Sequence, residues 1–375
     1  MSQLIEQQME SVVFRFRVKG KVKSIQAFGN GHINRSYIVT MVEGGEEKRY
    51  TLQQINTSVF RNPDELMENI QSITAHIRRK LREEGKDPER GTLHMMSDRA
   101  GEHRYVKDAY GSYWRMYPFI DDCISYDIVD CPEVFRNAAR AFGTFQAQLA
   151  DYPAYTLNET IPHFHDTGSR YMDFEAAVAR DLVGRAESVQ EEIAFVRAHR
   201  KETYLIQNAI IAGEIPVRVT HNDTKLNNVL MDKENNAVCV VDLDTVMPGS
   251  ALYDFGDSIR FGASTALEDE EDLSKVQLDL ELFEAFADGY LETAGPAMTT
   301  KEIEWLPFAA KMMTLECGIR FLTDYLNGDT YFKIAHAEHN LVRARTQFKL
   351  VQEDEDKMEE MQAIIRALVH KYTGK

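Results

Sequence analysis

The sequence predicts an α+β chain with a small strand-rich N-terminal lobe and a larger, mainly helical C-terminal lobe. Three observations carry this. Up to about residue 119, runs of alternating apolar and polar residues are separated by glycine-bearing turns. From Pro132 onward, apolar residues recur at steps of three and four instead. Within that helical half, one stretch (HNDTKLNNVLMDKENNAVCVVDLDTVMPGSALYDFGD, 221–257) returns to short strand-like runs and holds six aspartates.

Taken in order, 21–28 reads as a first strand running into FGNGHIN, and 36–42 as a second. Gly44 and Gly45 turn the chain into a third strand over 49–55. Pro63–Glu83 is expected to be a helix, with Leu66, Ile70, Ile73, Ile77 and Leu81 on one face and acids near its start. Residues 92–106 and 112–119 read as two more strands, the second ending at Pro118 beside a short hinge near 117–121. PEVFRNAARAFGTFQAQL is a helix with Pro132 in its first turn, and a long helical region follows over about 171–212. In TTKEIEWLPFAAKMMTLECGIRFLTDYL, Thr299 and Glu302 form a capping box, and Pro307 either kinks the helix or shifts its start. An amphipathic segment from about Glu338 closes the chain.

A chain of 375 residues can support two lobes with cores of their own. Its formal charge of −17 argues against nucleic acid and anionic membranes as partners. The expected partners are small molecules, with the protein acting as a monomer. There is no apolar run of transmembrane length, and the first twenty residues carry charges where a signal peptide needs an apolar core, so a cytoplasmic location is expected. Four scattered cysteines make neither a zinc site nor a disulfide framework.

The stretch at 221–257 carries the chemistry. VRVT before His221 reads as a short strand, and NVLMD-KENN-AVCVVD as a hairpin. A turn centred on Asn235 would set Asn228 opposite Asp242, and a continuing strand would put Asp244 on the same face as Asp242. Amide and carboxylate oxygens gathered in this way suit one hard cation. Asp223 lies five residues before Asn228, and His-x-Asp followed by four residues and Asn is the spacing of a kinase catalytic loop. There the aspartate accepts the attacking hydroxyl's proton. The literal Asp-Phe-Gly at 254–256 fits a metal site less well. It follows Pro248-Gly249, a turn expected to carry the chain away, so Asp254 is expected to brace the loop's amides or start a helix.

The runs FGNGHINRSYIVT, LQQINTSVF, HFHDT, RVTHNDTKLNN, DLDTVMPGSALYDFGDSIRFGASTALEDE, ECGIRFLTDYLNGDTYF and EHNLVRARTQFKLVQ span nearly the whole chain. Through them the sequence resembles the aminoglycoside phosphotransferase/choline kinase superfamily, and within it the kinases of N-acetylhexosamines. The resemblance implies a protein-kinase-like bilobal fold, with residues 1–117 binding nucleotide and 118–375 carrying catalysis and the sugar. It implies transfer of the ATP γ-phosphate to the anomeric hydroxyl of N-acetylglucosamine or N-acetylgalactosamine, with Mg2+ as cofactor. Asp223 would be the base, and Asn228, Asp242 and Asp244 the metal ligands. His32, Phe261, Arg320 and Tyr331 would meet the sugar beside Asp223. Gly29, Asn30, Gly31, Gln53 and Tyr117 would meet the nucleotide.

Each assignment has a structural alternative. Arg320 can pair with Asp324 along a helix, Phe261 and Tyr331 can be core aromatics, and FGNGHIN can be a plain hairpin turn. His163, His165 and Asp166 in HFHDT are weak as a metal set and read better as a structural loop. The strand expected to present a phosphate-binding lysine reads YTLQQIN, with Gln53 or Gln54 at that place. Competing functions are a kinase for another small alcohol, a non-catalytic nucleotide- or sugar-binding protein, and a metal-dependent hydrolase.

Overall fold

A computed structural model describes residues 3–29, 33–129 and 131–373. The chain divides into two compact units, residues 1–124 with 156–161, and residues 125–155 with 162–375.

The first unit is built on a five-stranded antiparallel sheet. Its elements are α1 (Gln3–Val13), β1 (Lys21–Ala27), β2 (Arg35–Glu43), β3 (Glu46–Gln54), α2 (Pro63–Glu83), α3 (Pro88–Gly91), β4 (Val106–Lys107) and β5 (Tyr113–Pro118), with strand order β1-β2-β3-β5-β4. Met9, Val12, Val13 and Phe16 pack with Val39, Met41, Leu52, Trp114 and Met116, so α1 and the turn after it cover one face of the sheet. Sequence reading placed no helix ahead of the first strand. The 92–106 strand is also absent; Val106–Lys107 pairs with β5, and Asp98 forms an isolated bridge with Phe16. α2 matches its expected bounds and buries the expected stripe of Leu66, Ile70, Ile73, Ile77 and Leu81. Asn62 caps it by accepting from the amides of Asp64 and Glu65. From α2, Asn69 donates to the Asn158 carbonyl and accepts from the Asn158 amide, both at 2.8 Å, which ties residues 156–161 to this unit.

The second unit is mainly helical. It contains α4 (Pro132–Gln148), α5 (Thr167–Arg180), α6 (Gln190–Ala198), α7 (Leu205–Ile211), β6 (Arg218–Thr220), β7 (Val229–Met231), β8 (Ala237–Val240), β9 (Met247–Gly249), α8 (Ala251–Gly262), α9 (Leu280–Ala294), α10 (Thr300–Glu304), α11 (Leu306–Leu326), α12 (His339–Asp356) and α13 (Met358–Thr373). The helical region expected at 171–212 is broken into three helices joined by short 3-10 turns. Asp181, in the left-handed conformation at φ 40°, ends the first of them. The capping box at Thr299 and Glu302 is present, and Pro307 marks the first turn of a new helix, α11. The core centres on Phe135, Phe255, Phe283, Phe286 and Tyr290, whose rings meet edge-on, tilted or stacked.

Candidate active site

β6 and β9 pair antiparallel, Arg218 with Gly249, Val219 with Pro248 and Thr220 with Met247. Pro248-Gly249 therefore does not turn the chain away, as expected from sequence. It runs back along the strand that feeds His221 and delivers Asp254 beneath the 221–228 loop. Asp254 is buried in the first turn of α8. Its Oδ2 accepts from the His221 amide at 3.0 Å and its Oδ1 from the Asn222 amide at 2.8 Å, while Gln146 Nε2 donates at 2.7 Å. Asp254 thus both braces the loop and opens a helix. The rest of the literal triplet is packing. Phe255 is fully buried, and a Cβ on Gly256 would lie 2.3 Å from the Ala309 carbonyl of α11.

Side chains hold the loop from every side. His221 is fully buried between the edges of Phe142 and Phe145, with Nε2 2.9 Å from the Val241 carbonyl. Asn222 takes φ 63°, a strain offset by Nδ2 donating to the Thr245 carbonyl at 2.8 Å. Thr245 Oγ1 donates to the His221 carbonyl at 2.7 Å, and Thr224 Oγ1 to the Asp254 carbonyl at 2.6 Å. This frame leaves Asp223 half-buried at the loop's turn. Asn228 Nδ2 donates to the Asp223 carbonyl at 2.8 Å and to its Oδ2 at 3.2 Å. Lys225 Nζ lies 2.8 Å from Asp223 Oδ1, and Asp223 raises the lysine well above its usual range.

The hairpin differs from the counted register. Val229 pairs with Val240 and Leu230 with Cys239, but Met231 pairs with Ala237, because an irregularity takes up one residue. The Asn228 carbonyl accordingly accepts from the Val241 amide at 2.9 Å, one residue short of Asp242. The strand does not continue to Asp244. Asp242 is left-handed (φ 58°, ψ 59°), and Leu243–Thr245 is a 3-10 turn that buries Asp244 while Asp242 stays exposed. Asn228, Asp242 and Asp244 still lie on consecutive segments at this end of the hairpin. With the Asn228 amide nitrogen turned to Asp223, its oxygen is the atom left for a cation. The donors are all oxygens, which fits magnesium.

Arg320 and Asp324 do not form the alternative helix pair. Asp324 instead accepts from the amides of Thr330, Tyr331 and Phe332 and from Asn340 Nδ2, all at 2.8–2.9 Å, and so shapes the loop after α11. Arg320 sits among aromatic rings, 5.3 Å from Phe164, 5.6 Å from Phe332 and 6.0 Å from Tyr331. Tyr331 is 64% exposed, so it is no core residue; Phe261 is half-buried on α8. In HFHDT, Asp166 caps α5, while the buried His165 lies 2.7 Å from Glu316 Oε1 and 3.2 Å from the Asn222 carbonyl.

In the first unit, Gln53 joins Ser36 and Arg115. Its Nε2 donates to Ser36 Oγ and its Oε1 accepts from Arg115 Nε, both at 2.9 Å. Gly29 is left-handed at φ 74°, and Tyr117 pairs with Thr51 across β5 and β3. Asn30, Gly31 and His32 lie outside the described residues.

Sequence reading passed over Lys225, although its place two residues after Asp223 was in view. It also missed the His165–Glu316 contact and the buried Arg260, which meets Asp257 and Glu268. Nothing in the local pattern marks partners 151 residues apart.

The model of the phosphotransferase enzyme family matches residues 24–298. Among solved structures, an aminoglycoside phosphotransferase from Alicyclobacillus acidocaldarius subsp. acidocaldarius DSM 446 aligns with TM-score 0.55 at 12% identity, over 97% of this chain and 96% of that one. A choline kinase from Cryptosporidium parvum Iowa II aligns with TM-score 0.52 at 13% identity, over 92% and 91%. A Plasmodium vivax ethanolamine kinase does so with TM-score 0.52 at 13% identity, over 86% and 82%. At such identities the likeness is one of fold, a small antiparallel-sheet lobe and a larger helical one. The family match covers more than half of the sequence, and this chain belongs to the phosphotransferase enzyme family.

Proposed function

We propose that this phosphotransferase moves the γ-phosphoryl group of ATP to the anomeric hydroxyl of N-acetylglucosamine or N-acetylgalactosamine. Residues 1–117 bind the nucleotide, and 118–375 carry catalysis and the sugar. Asp223 takes the hydroxyl proton as the sugar oxygen attacks the γ-phosphorus, the bond to the β–γ bridging oxygen breaks, and ADP leaves. Asn228 orients the base through its two hydrogen bonds, and Lys225 offsets charge beside it. Asn228, Asp242 and Asp244 would hold magnesium, which when bound neutralises charge across the phosphate oxygens.

One observation carries the acceptor assignment. Arg320, ringed by Phe164, Tyr331 and Phe332, lies one helical turn from Glu316, and Glu316 reaches the loop that carries Asp223 through His165. A guanidinium donor among aromatic faces suits a neutral sugar with many hydroxyls. His32 and Phe261 complete the proposed contacts.

The test is phosphorus NMR on the purified protein with ATP, magnesium and a panel of N-acetylhexosamines, other hexoses, choline, ethanolamine and an aminoglycoside. A sugar 1-phosphate signal with the N-acetylhexosamines is the expected result. Phosphate on a non-anomeric hydroxyl, or only on a non-sugar, would sink the assignment.

A further inference from the structure

We propose that Asp269 and His339 latch the loop after α8 to the loop that carries Tyr331, so that the two form one wall of the acceptor site and His339 is a positioning residue for the acceptor. This rests on the acceptor site proposed above, and both loops belong to the second unit.

Each loop has a base of its own. Residues 264–278 follow Phe261 and the end of α8 and close on themselves. Ser264 bridges Leu278 antiparallel, the Thr265 amide donates to the Gln277 carbonyl at 3.0 Å, and the Asp279 amide donates to the Ala263 carbonyl at 2.8 Å. Val276 and Leu278 anchor this neck in the core, and beyond it stands an acidic tip, EDEED at 268–272. The Tyr331 loop is folded in its first half by Asp324. Its second half turns to α12, where Arg343 Nη1 donates to the Lys333 carbonyl at 3.2 Å and His339 Nδ1 accepts from the Ala335 amide at 3.0 Å.

The histidine ring gives the latch its direction. Because Nδ1 accepts from a backbone amide, the neutral ring carries its proton on Nε2. Nε2 lies 3.1 Å from Asp269 Oδ2 and donates to it. A buried imidazole thus takes a hydrogen bond from one loop and gives one to the other, on opposite flanks of a rigid ring.

The neighbours of Asp269 are held in the same sense. Glu268 Oε1 accepts from Arg260 Nη1 at 2.8 Å, and its Oε2 lies 3.9 Å from Arg343 Nε. Thr346 Oγ1 donates to the Glu270 carbonyl at 3.0 Å. Arg260 precedes Phe261 on α8, and Arg343 holds the chain two residues past Tyr331. The tip therefore ties together the two places where Phe261 and Tyr331 are proposed to meet the sugar, and freeing it should loosen both.

The experiment is hydrogen exchange read by mass spectrometry, together with steady-state kinetics, on the full chain of Asp269→Ala, Asp269→Asn and His339→Asn, each with its thermal midpoint. The Asp269 side chain is 47% exposed, so its replacement leaves the core intact. Asp269→Ala is expected to speed exchange in both 264–278 and 333–338. It should raise the acceptor KM about threefold to tenfold, while kcat at saturating acceptor and the ATP KM stay within about twofold of the parent. Asp269→Asn keeps an oxygen for the Nε2 proton and stays near the parent. His339→Asn keeps an oxygen for the Ala335 amide, no longer reaches Asp269, and repeats the Asp269→Ala pattern. Faster exchange confined to one loop, or an acceptor KM within about twofold of the parent in a folded Asp269→Ala variant, overturns the proposal. Asp269→Asn behaving like Asp269→Ala overturns it as well. If His339→Asn does not fold, the two Asp269 variants decide. The acceptor used is whichever compound the phosphorus NMR panel shows phosphorylated, so a non-sugar acceptor sinks the sugar reading and leaves this test standing.

Discussion

His165 and Glu316 form a buried pair, with Nδ1 2.7 Å from Oε1 and side chains 6% and 1% exposed. The other ring nitrogen faces the Asn222 carbonyl at 3.2 Å, one residue before the proposed base. A carboxylate accepts, so Nδ1 is the donor toward Glu316. Thr167 Oγ1 donates to the second Glu316 oxygen at 2.7 Å, which binds the start of α5 to the same acid. The pair therefore clamps three distant segments at the point where Asp223 leaves the loop.

A clamp acts on placement, so its loss should fall on turnover. Glu316→Gln keeps the shape but leaves a buried donor facing an amide, and breaking such a pair costs on the order of 3–5 kcal/mol. Urea unfolding should show that loss. Steady-state kinetics should show kcat falling more than the sugar KM rises. A variant that is destabilised yet keeps its kcat would reduce the pair to a structural role.

The same acid sets a pH dependence. Burial pushes the Glu316 carboxyl up, but His165, Arg320 and Thr167 outweigh it and hold the group below its usual value. A carboxyl with a lowered folded pKa adds stability that is fully present above its unfolded pKa and is lost as pH falls through the folded value. The parent should lose stability below the ordinary carboxylate range, about pH 4.5, and Glu316→Gln should show a shallower acid limb. Equal acid limbs in the two proteins would remove Glu316 from the explanation.

Periodicity made α2 and its buried stripe legible, because a helix repeats one environment every three to four residues. The capping box at Thr299 was legible for a similar local reason. The hairpin register was not. Counting from Asn235 misplaces the turn, which closes Asp232 on Asn236 about Glu234; that shifts the register by two, the irregularity between Leu230 and Met231 returns one, and Asn228 meets Val241 in place of Asp242. The left-handed turn at Asp242 is equally invisible, since it depends on what packs around the residue. Asp254 was legible only as a choice between brace and helix start, and the return of β9 along β6 makes it both. The Gln53–Arg115 contact escaped notice because its partners lie on different strands, 62 residues apart.

Asp223 and Asp242 separate base from metal in the proposed mechanism, and matched variants should separate too. Asp223→Asn keeps an acceptor for Asn228 but removes the base and the charge beside Lys225. It is expected to lower kcat by about a hundredfold to ten-thousandfold with the thermal midpoint little changed. Asp242→Asn removes charge from the proposed cation site, so its activity should need more magnesium and recover in part when magnesium is raised. If Asp223→Asn also recovered with magnesium, the two roles would not be distinct.

Asp324, the alternative helix partner for Arg320, makes contacts that predict a substrate effect instead. Its two oxygens take three consecutive amides, Thr330 to Phe332, together with Asn340 Nδ2, and so fold the loop that carries Tyr331. Asn340 Nδ2 also reaches Asp329, which tightens the same turn. Asp324→Asn leaves one acceptor oxygen for donors that now use two, so at least one amide loses its partner and the loop loosens. Tyr331 and Phe332 both lie beside Arg320, and loosening them should disturb the proposed sugar contacts without touching the catalytic loop. The sugar KM should rise about tenfold or more, in line with one or two lost hydrogen bonds, while ATP affinity and kcat at saturating sugar hold. Limited proteolysis should cut sooner within 327–336. A folded variant with faster cleavage but an unchanged sugar KM would place the acceptor elsewhere on the second unit.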